Sequence, residues 1–465
     1  MTKTSSDRLP QWLSVLVALV VVFGFSNPLL SQGIANVQSG GTQLFVTGVT
    51  PVIGPNGSVG GVSMDARSVI RLAEDVEQLR DRWIHPTTVS GEVSAEAELR
   101  VVSLRRLHEQ MRRRLADEKP ISEEMFFLAG LRRVEYLFAD VERKDVLLAG
   151  PAGGWRSNGL GQTVSTKTGS PIVRLDDLAI ALHSELTPDV STSCSIEPTE
   201  AAVARFSNLR LRAGDSARAS VAAMERALGT QQVLLTGVPR NSHLAAVMVA
   251  ADYWMKRYAM GFDESPVKGM PSYMTLLQRR GTTKRVTSPR WWMGANYESL
   301  SRSPDGLVWR LQGQGVRTLT QDAIFNSRGQ RVQTGEKNAL AEQWADTMTE
   351  SYEALSRQRP IFGELRNCFD LSVMAALVAH HGLLDLSECE LPLLLDSGSW
   401  RPEFKVPTGI PSQGSLVRAR RGWLVSISGG VDIQTTDVIG NWKDEPSVRT
   451  EIERPYPSDE TRWWW

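Results

Sequence analysis

Cys194, His243 and Asp252 supply the residue types of a nucleophile, a general base and an orienting acid. Cys194 lies in STSCSIEP, whose alternation reads as a strand. His243 follows the loop GVPRNS and opens a helix, where free amides and a positive dipole end favour anionic groups. Strand ends in α/β layers are common ligand positions. Asp252 sits further along the same helix, roughly 13 Å from His243 by helix rise, so it cannot orient that ring directly. Two readings stay open for Cys194: an activated nucleophile beside His243, or a buried and inert thiol.

Other groups offer less. Arg240, Asp252 and Arg257 are polar candidates for a binding site around the same helix. Trp291, Trp292, Tyr297 and Trp309 fall close together, as an aromatic surface for carbohydrate or protein requires, and core packing is the competing reading. His85, His108 and His183 stand alone, while His380 and His381 point about 100° apart on a helix and do not share a metal easily. No metal site and no cofactor are expected. Asp176–Asp177 and Asp263–Glu264 are carboxylate pairs without an evident partner, Asp177 being expected to face solvent, so paired-carboxylate hydrolysis of sugars has no support. The run GPAGG at 150–154 lacks the lysine and following helix of a phosphate-binding loop.

The elements that position these groups centre on residues 237–261, GVPRNSHLAAVMVAADYWMKRYAMG. Asn241 or Ser242 can cap the helix start, and Gly261 suits a left-handed C-terminal cap. The helix, about 243–260, is apolar almost all round, with Trp254 expected inside and Asp252, Lys256 and Arg257 forming its one wet edge. Cys194 and Leu234 are expected on adjacent strands beneath it. Before it come helices at 94–117 and from Ser122 to about Leu131, then a hairpin in VEYLFADVERKDVLLAG. A helix at 175–185, helices at 200–209 and 217–228 and a strand at 232–238 complete an α/β layer. Beyond it, SPDG carries turn chemistry at 303–306, helices fall at 338–357 and 362–380, and two strands lie in SLVRARRG and WLVSISGGVDI.

Lys plus Arg equals Asp plus Glu, 52 each, which argues against nucleic acid or an anionic membrane as the main partner. Three cysteines are too few for a disulfide framework. Lys3 and Arg8 precede the apolar run WLSVLVALVVVFGF, and small residues follow near Ser31: the pattern of a secretory signal peptide, with an uncleaved anchor as the alternative. The expected organisation is an α+β fold with a signal peptide at 1–35, a linker at 36–60, helices and a hairpin at 61–150, a central α/β domain at 151–278, an α+β subdomain at 291–434 and a flexible tail at 435–465. No membrane span is expected in the mature chain.

DVLLAGPAGGW, TGSPIVRLDDL, CSIEPTEA, GVPRNSH, ADYWMKRYAMG, PVKGMPSY, RWW, LQGQGV, FGELRNCFDL and SGGVDI occur in this order. Together they resemble a family of secreted planctomycete proteins of unknown function, domain of unknown function 1598. The resemblance covers roughly Gly60 to Ile433. It implies export from a planctomycete-like bacterium and carries over no activity, substrate or catalytic residue. The resulting expectation is a non-enzymatic cell-envelope or periplasmic scaffold binding an unknown protein or envelope polymer. The alternative is a hydrolase with its site near Cys194 and His243.

Overall fold

Two sheets share one long helix. The computed structural model describes residues 91–158, 162–187, 191–209, 216–280, 288–325, 331–333, 338–396, 400–412, 415–417, 423–425 and 428–465. The expected signal peptide, the linker, a helix at 74–83 and His85 lie outside them.

The main strands are, in order, β1 (Ala97–Ser103), β2 (Tyr136–Asp140), β3 (Asp145–Ala152), β4 (Thr192–Glu197) and β5 (Thr230–Thr236). Then come β6 (Ser288–Asn296), β7 (Leu300–Arg302), β8 (Val308–Arg310) and β9 (Gly315–Phe325). The last are β10 (Arg331–Gln333), β11 (Gly409–Pro411), β12 (Ser428–Ile433) and β13 (Trp442–Asp444). The helices that matter are α1 (Leu104–Ala116), α2 (Leu175–Glu185), α3 (His243–Met260), α4 (Ala339–Glu350) and α5 (Pro360–His380). One sheet runs β1-β3-β2-β8-β7-β13, the other β10-β9-β6-β12-β4-β5-β11. The fold is mixed α+β. Both sheets draw strands from before and after residue 291, so neither follows the domain boundaries expected from sequence.

Most neighbours are antiparallel, including β4 with β5, where Cys194 faces Leu235 and Ser195 faces Leu234. The strand–helix–strand order here is built from antiparallel neighbours with α3 packed on them. β12 enters between β6 and β4, parallel to the first and antiparallel to the second. A Cβ on Gly429 would lie 2.0 Å from the Trp291 carbonyl oxygen, and one on Gly430 2.2 Å from that of Cys194. Only glycine lets the backbone of β12 approach both neighbours.

α3 has the predicted bounds. The Ser242 hydroxyl accepts from the Ala245 N–H, and Gly261 ends the helix at φ 67° in the left-handed region. The helix packs on the seven-stranded sheet through Leu244, Val247, Met248, Ala251 and Met255, all 1% exposed or less, and each of the four larger side chains contributes about 1.5–3 kcal/mol by leaving water. α5 starts at Pro360, which suits the first helical position, and passes through both cores. Phe362, Leu365 and Phe369 belong to the core of α3 and its sheet. Leu371, Met374 and Leu377 belong to the core under the six-stranded sheet.

Three expectations are corrected. Residues 94–117 do not form one helix: AELRVVS is β1, because its buried β-branched residues pair with β3, and α1 starts only where Ser103 accepts the Arg106 N–H. Asp252 is not on a wet edge but fully buried, bonded to Lys256 at 2.8 Å, whereas Trp254 is half-buried with the Arg359 guanidinium 3.8 Å from its ring centroid. The segment 435–465 is not a flexible tail. It adds β13 and a helix, Ser447–Ile452, and buries Trp463 and Trp464. Its composition is polar, but its tryptophans anchor it.

Candidate functional site

Three helix starts meet around His243. α2 opens with Asp176 and Asp177 in its first turn, where carboxylates complement the dipole. α3 opens with His243 itself. α5 brings Glu364 and Cys368 from its second and third turns. Nδ1 of His243 lies 2.8 Å from Oδ2 of Asp177, and both residues are buried. Arg174, just ahead of α2, grips Asp176 in a bidentate pair at 2.9 and 2.7 Å. Its guanidinium stacks between Phe126 and Phe404, and the Phe404 ring also meets the imidazole edge-on at 5.0 Å. Glu364 accepts from the Gln162 side-chain amide at 3.0 Å.

Burial sets the protonation of this pair. It pushes Asp177 up, with Arg174 and the Leu244 N–H pulling the other way. It pushes His243 down, and Arg174 adds to that. Both shifts favour neutral forms, as a site without solvent requires. One acceptor remains: Oδ1 of Asp177 is buried and has no protein partner. Chemically the pair is a base with its orienting acid, two parts of a nucleophile triad.

The third part is not Cys194. That thiol is buried in the core between β5 and β12. Burial raises its pKa well above the usual thiol value, and Asp252 adds to the rise. Among the described residues no hydrogen bond joins it to His243. Arg240 donates to the carbonyls of Val233 and Pro407. Arg257 pairs with Asp263 and with the Tyr253 hydroxyl. Arg240, His243, Asp252 and Arg257 thus each serve a different partner and do not gather into one site.

The aromatics divide as well. Trp291 is fully buried, its indole N–H donating to the Ala341 carbonyl at 3.1 Å, against Tyr273 and Trp344. Trp309 is fully buried too, and Trp292, on the opposite face of β6, is half-buried. His381 stacks on Trp309, and His108 accepts from the Leu393 N–H. No group of three or more metal-ligating side chains occurs among the described residues, and no helix there is long and apolar enough to cross a membrane.

Sequence reasoning pointed Asp177 at solvent, where the packing of α2 buries it against His243, and it did not single out Arg174 or Glu364. A signal existed for the first: Leu175, Leu178, Ala179, Ile180, Ala181 and Leu182 make α2 apolar all round, and such a helix buries its carboxylates too.

A family profile described as Protein of unknown function (DUF1598) matches residues 194–273. The match begins inside β4 at Cys194 and holds β5 and α3, so it includes His243 and not its partner Asp177. No curated protein matches the chain, and no solved structure does.

Proposed function

We propose that the protein is an exported, non-enzymatic interaction or scaffold component of the cell envelope or periplasm in a planctomycete-like bacterium. One observation carries the non-enzymatic part. The nucleophile and base named by the sequence are separately engaged, Cys194 inside the core and His243 on Asp177 beneath Phe404. Export is supported by the basic start, apolar run and small residues of 1–35. Mass spectrometry of the protein from the envelope fraction tests it. A mature N-terminus between Ser31 and Gly41 is expected, and an intact Met1 points to an anchor instead.

A second reading keeps one observation in its favour, the Asp177–His243 pair at 2.8 Å. As a hydrolase, the protein takes its nucleophile from a residue other than Cys194, and the imidazole serves as base. Turnover of an activated ester that disappears in a folded His243→Gln variant would make the hydrolase the better reading. Absence of turnover in the unsubstituted chain supports the scaffold.

A further inference from the structure

β1 is the outermost strand of the six-stranded sheet, yet its edge is covered. Residues 463–465 lie along it. Val101 and Trp465 exchange both backbone hydrogen bonds, at 2.8 and 3.0 Å, and the Ser103 N–H donates to the Trp463 carbonyl at 2.8 Å. This is strand addition to an open edge, the mode by which sheets take up extended peptides.

Side chains make the groove selective. Trp463 and Trp464 are buried. The Trp464 indole donates to Glu124, and the Arg100 guanidinium lies 4.8 Å from its ring centroid. Arg106, buried on α1, donates to three carbonyls of the arriving chain, those of Pro457, Asp459 and Arg462, and covers the Tyr456 ring. Residues 453–461 form a mostly exposed connection without helix or strand. The fit is also incomplete: the Trp465 indole N–H and the Arg106 Nε–H are buried without acceptors, and each such donor weakens the docked state.

We propose that the β1 edge is a strand-acceptor site whose partner is segment 462–465 of a second copy of this chain. Every contact above is open to a second copy, because it brings the identical segment. The segment in cis makes these same contacts, and its one advantage over a second copy's is the tether, which commonly gives an effective concentration in the millimolar range. Exchange of one element across an exposed connection produces a two-fold dimer. This surface is distinct from the His243 site, and the proposal stands or falls apart from the reading of that site.

The full chain tests it. Removing residues 453–455, which make none of these contacts, shortens the connection, so the segment reaches another molecule's β1 more readily than its own. Light scattering should then find a dimer whose circular dichroism matches the intact chain. A folded monomer overturns the proposal. Should the shortened chain fail to fold, a second measurement decides. The full-length Trp464→Ala chain keeps the acceptor and weakens its own ligand. It should bind a fluorescent peptide of residues 453–465 roughly a hundredfold more tightly than the unsubstituted chain does. Equal binding by the two chains, or binding by neither, overturns the proposal.

Discussion

Asp370 and Asp177 are both buried carboxylates on or against α5, and they are treated in opposite ways. Asp370 is saturated: Arg133 holds both oxygens at 2.8 Å and the Tyr297 hydroxyl adds a third bond at 2.8 Å. Arg133 also donates to the Gly313 carbonyl, so the knot ties the approaches to both sheets to α5. Asp177 has one firm partner and one oxygen with none. A buried charge held this fully serves the fold, since removing either member leaves the other uncompensated. A buried carboxyl with unused acceptor capacity, beside an imidazole, is where chemistry or binding can still be added.

The comparison breaks most sharply at Asp370. Asp370→Ala strands the Arg133 guanidinium, and chemical denaturation should show a loss of about 3–5 kcal/mol. Asp177→Asn, which keeps the shape and one hydrogen bond, should cost only about 1–2 kcal/mol. Equal losses at the two positions would dissolve the distinction.

Stability against pH separates the members of the pair. Asp177 is raised to about 7 in the folded protein, from about 4 in an unfolded chain. Between those values the folded state keeps a proton that the unfolded state has lost, so this contribution falls as pH rises. His243 is lowered to about 4, from about 6.5 unfolded. Its contribution rises with pH over nearly the same window. In the intact pair the two slopes oppose each other. His243→Gln should expose the falling slope between about pH 4 and 7, and Asp177→Asn the rising slope between about pH 4 and 6.5, amounting to about 4 and about 3 kcal/mol at most relative to the intact protein. Parallel profiles for both variants would show that the pair does not share a proton balance.

Trp254, half in water under Arg359, should cost about 1–3 kcal/mol when replaced by alanine, less than a core tryptophan does. Trp344→Ala is the control, being fully buried. The smallest effect is expected at Cys194. Native protein should react with a thiol reagent at neutral pH roughly a hundredfold more slowly than denatured protein. Fast reaction, slowed by His243→Ala, would bring the cysteine back to the site.

Local signals were readable from the residues alone. The bounds of α2 and α3, the Ser242 and Gly261 caps, the β2–β3 hairpin and the SPDG turn, with Gly306 at φ 74°, all follow from short stretches of sequence. The site was half legible. His243 stands out because it opens α3, but Asp177 is distant in the chain and only the packing of α2 on α3 and α5 brings it near. β1 was hidden because Val101, Leu104 and Leu107 fit helical spacing, and strand pairing with β3 decides otherwise. The fate of 435–465 depends on Arg100, Arg106 and Glu124, far upstream, which no local composition reveals.

The position of β12 has a consequence for how the chain is made. This strand lies in the middle of the seven-stranded sheet, yet it is encoded near the end, at Ser428–Ile433. At ordinary rates of translation the ribosome needs on the order of a minute to reach it. Until then β6 and β4 have no strand between them, and α3 has no finished surface to rest on. The seven-stranded sheet therefore closes only once nearly the whole chain has been made, and the core between that sheet and α3 is a late event of synthesis.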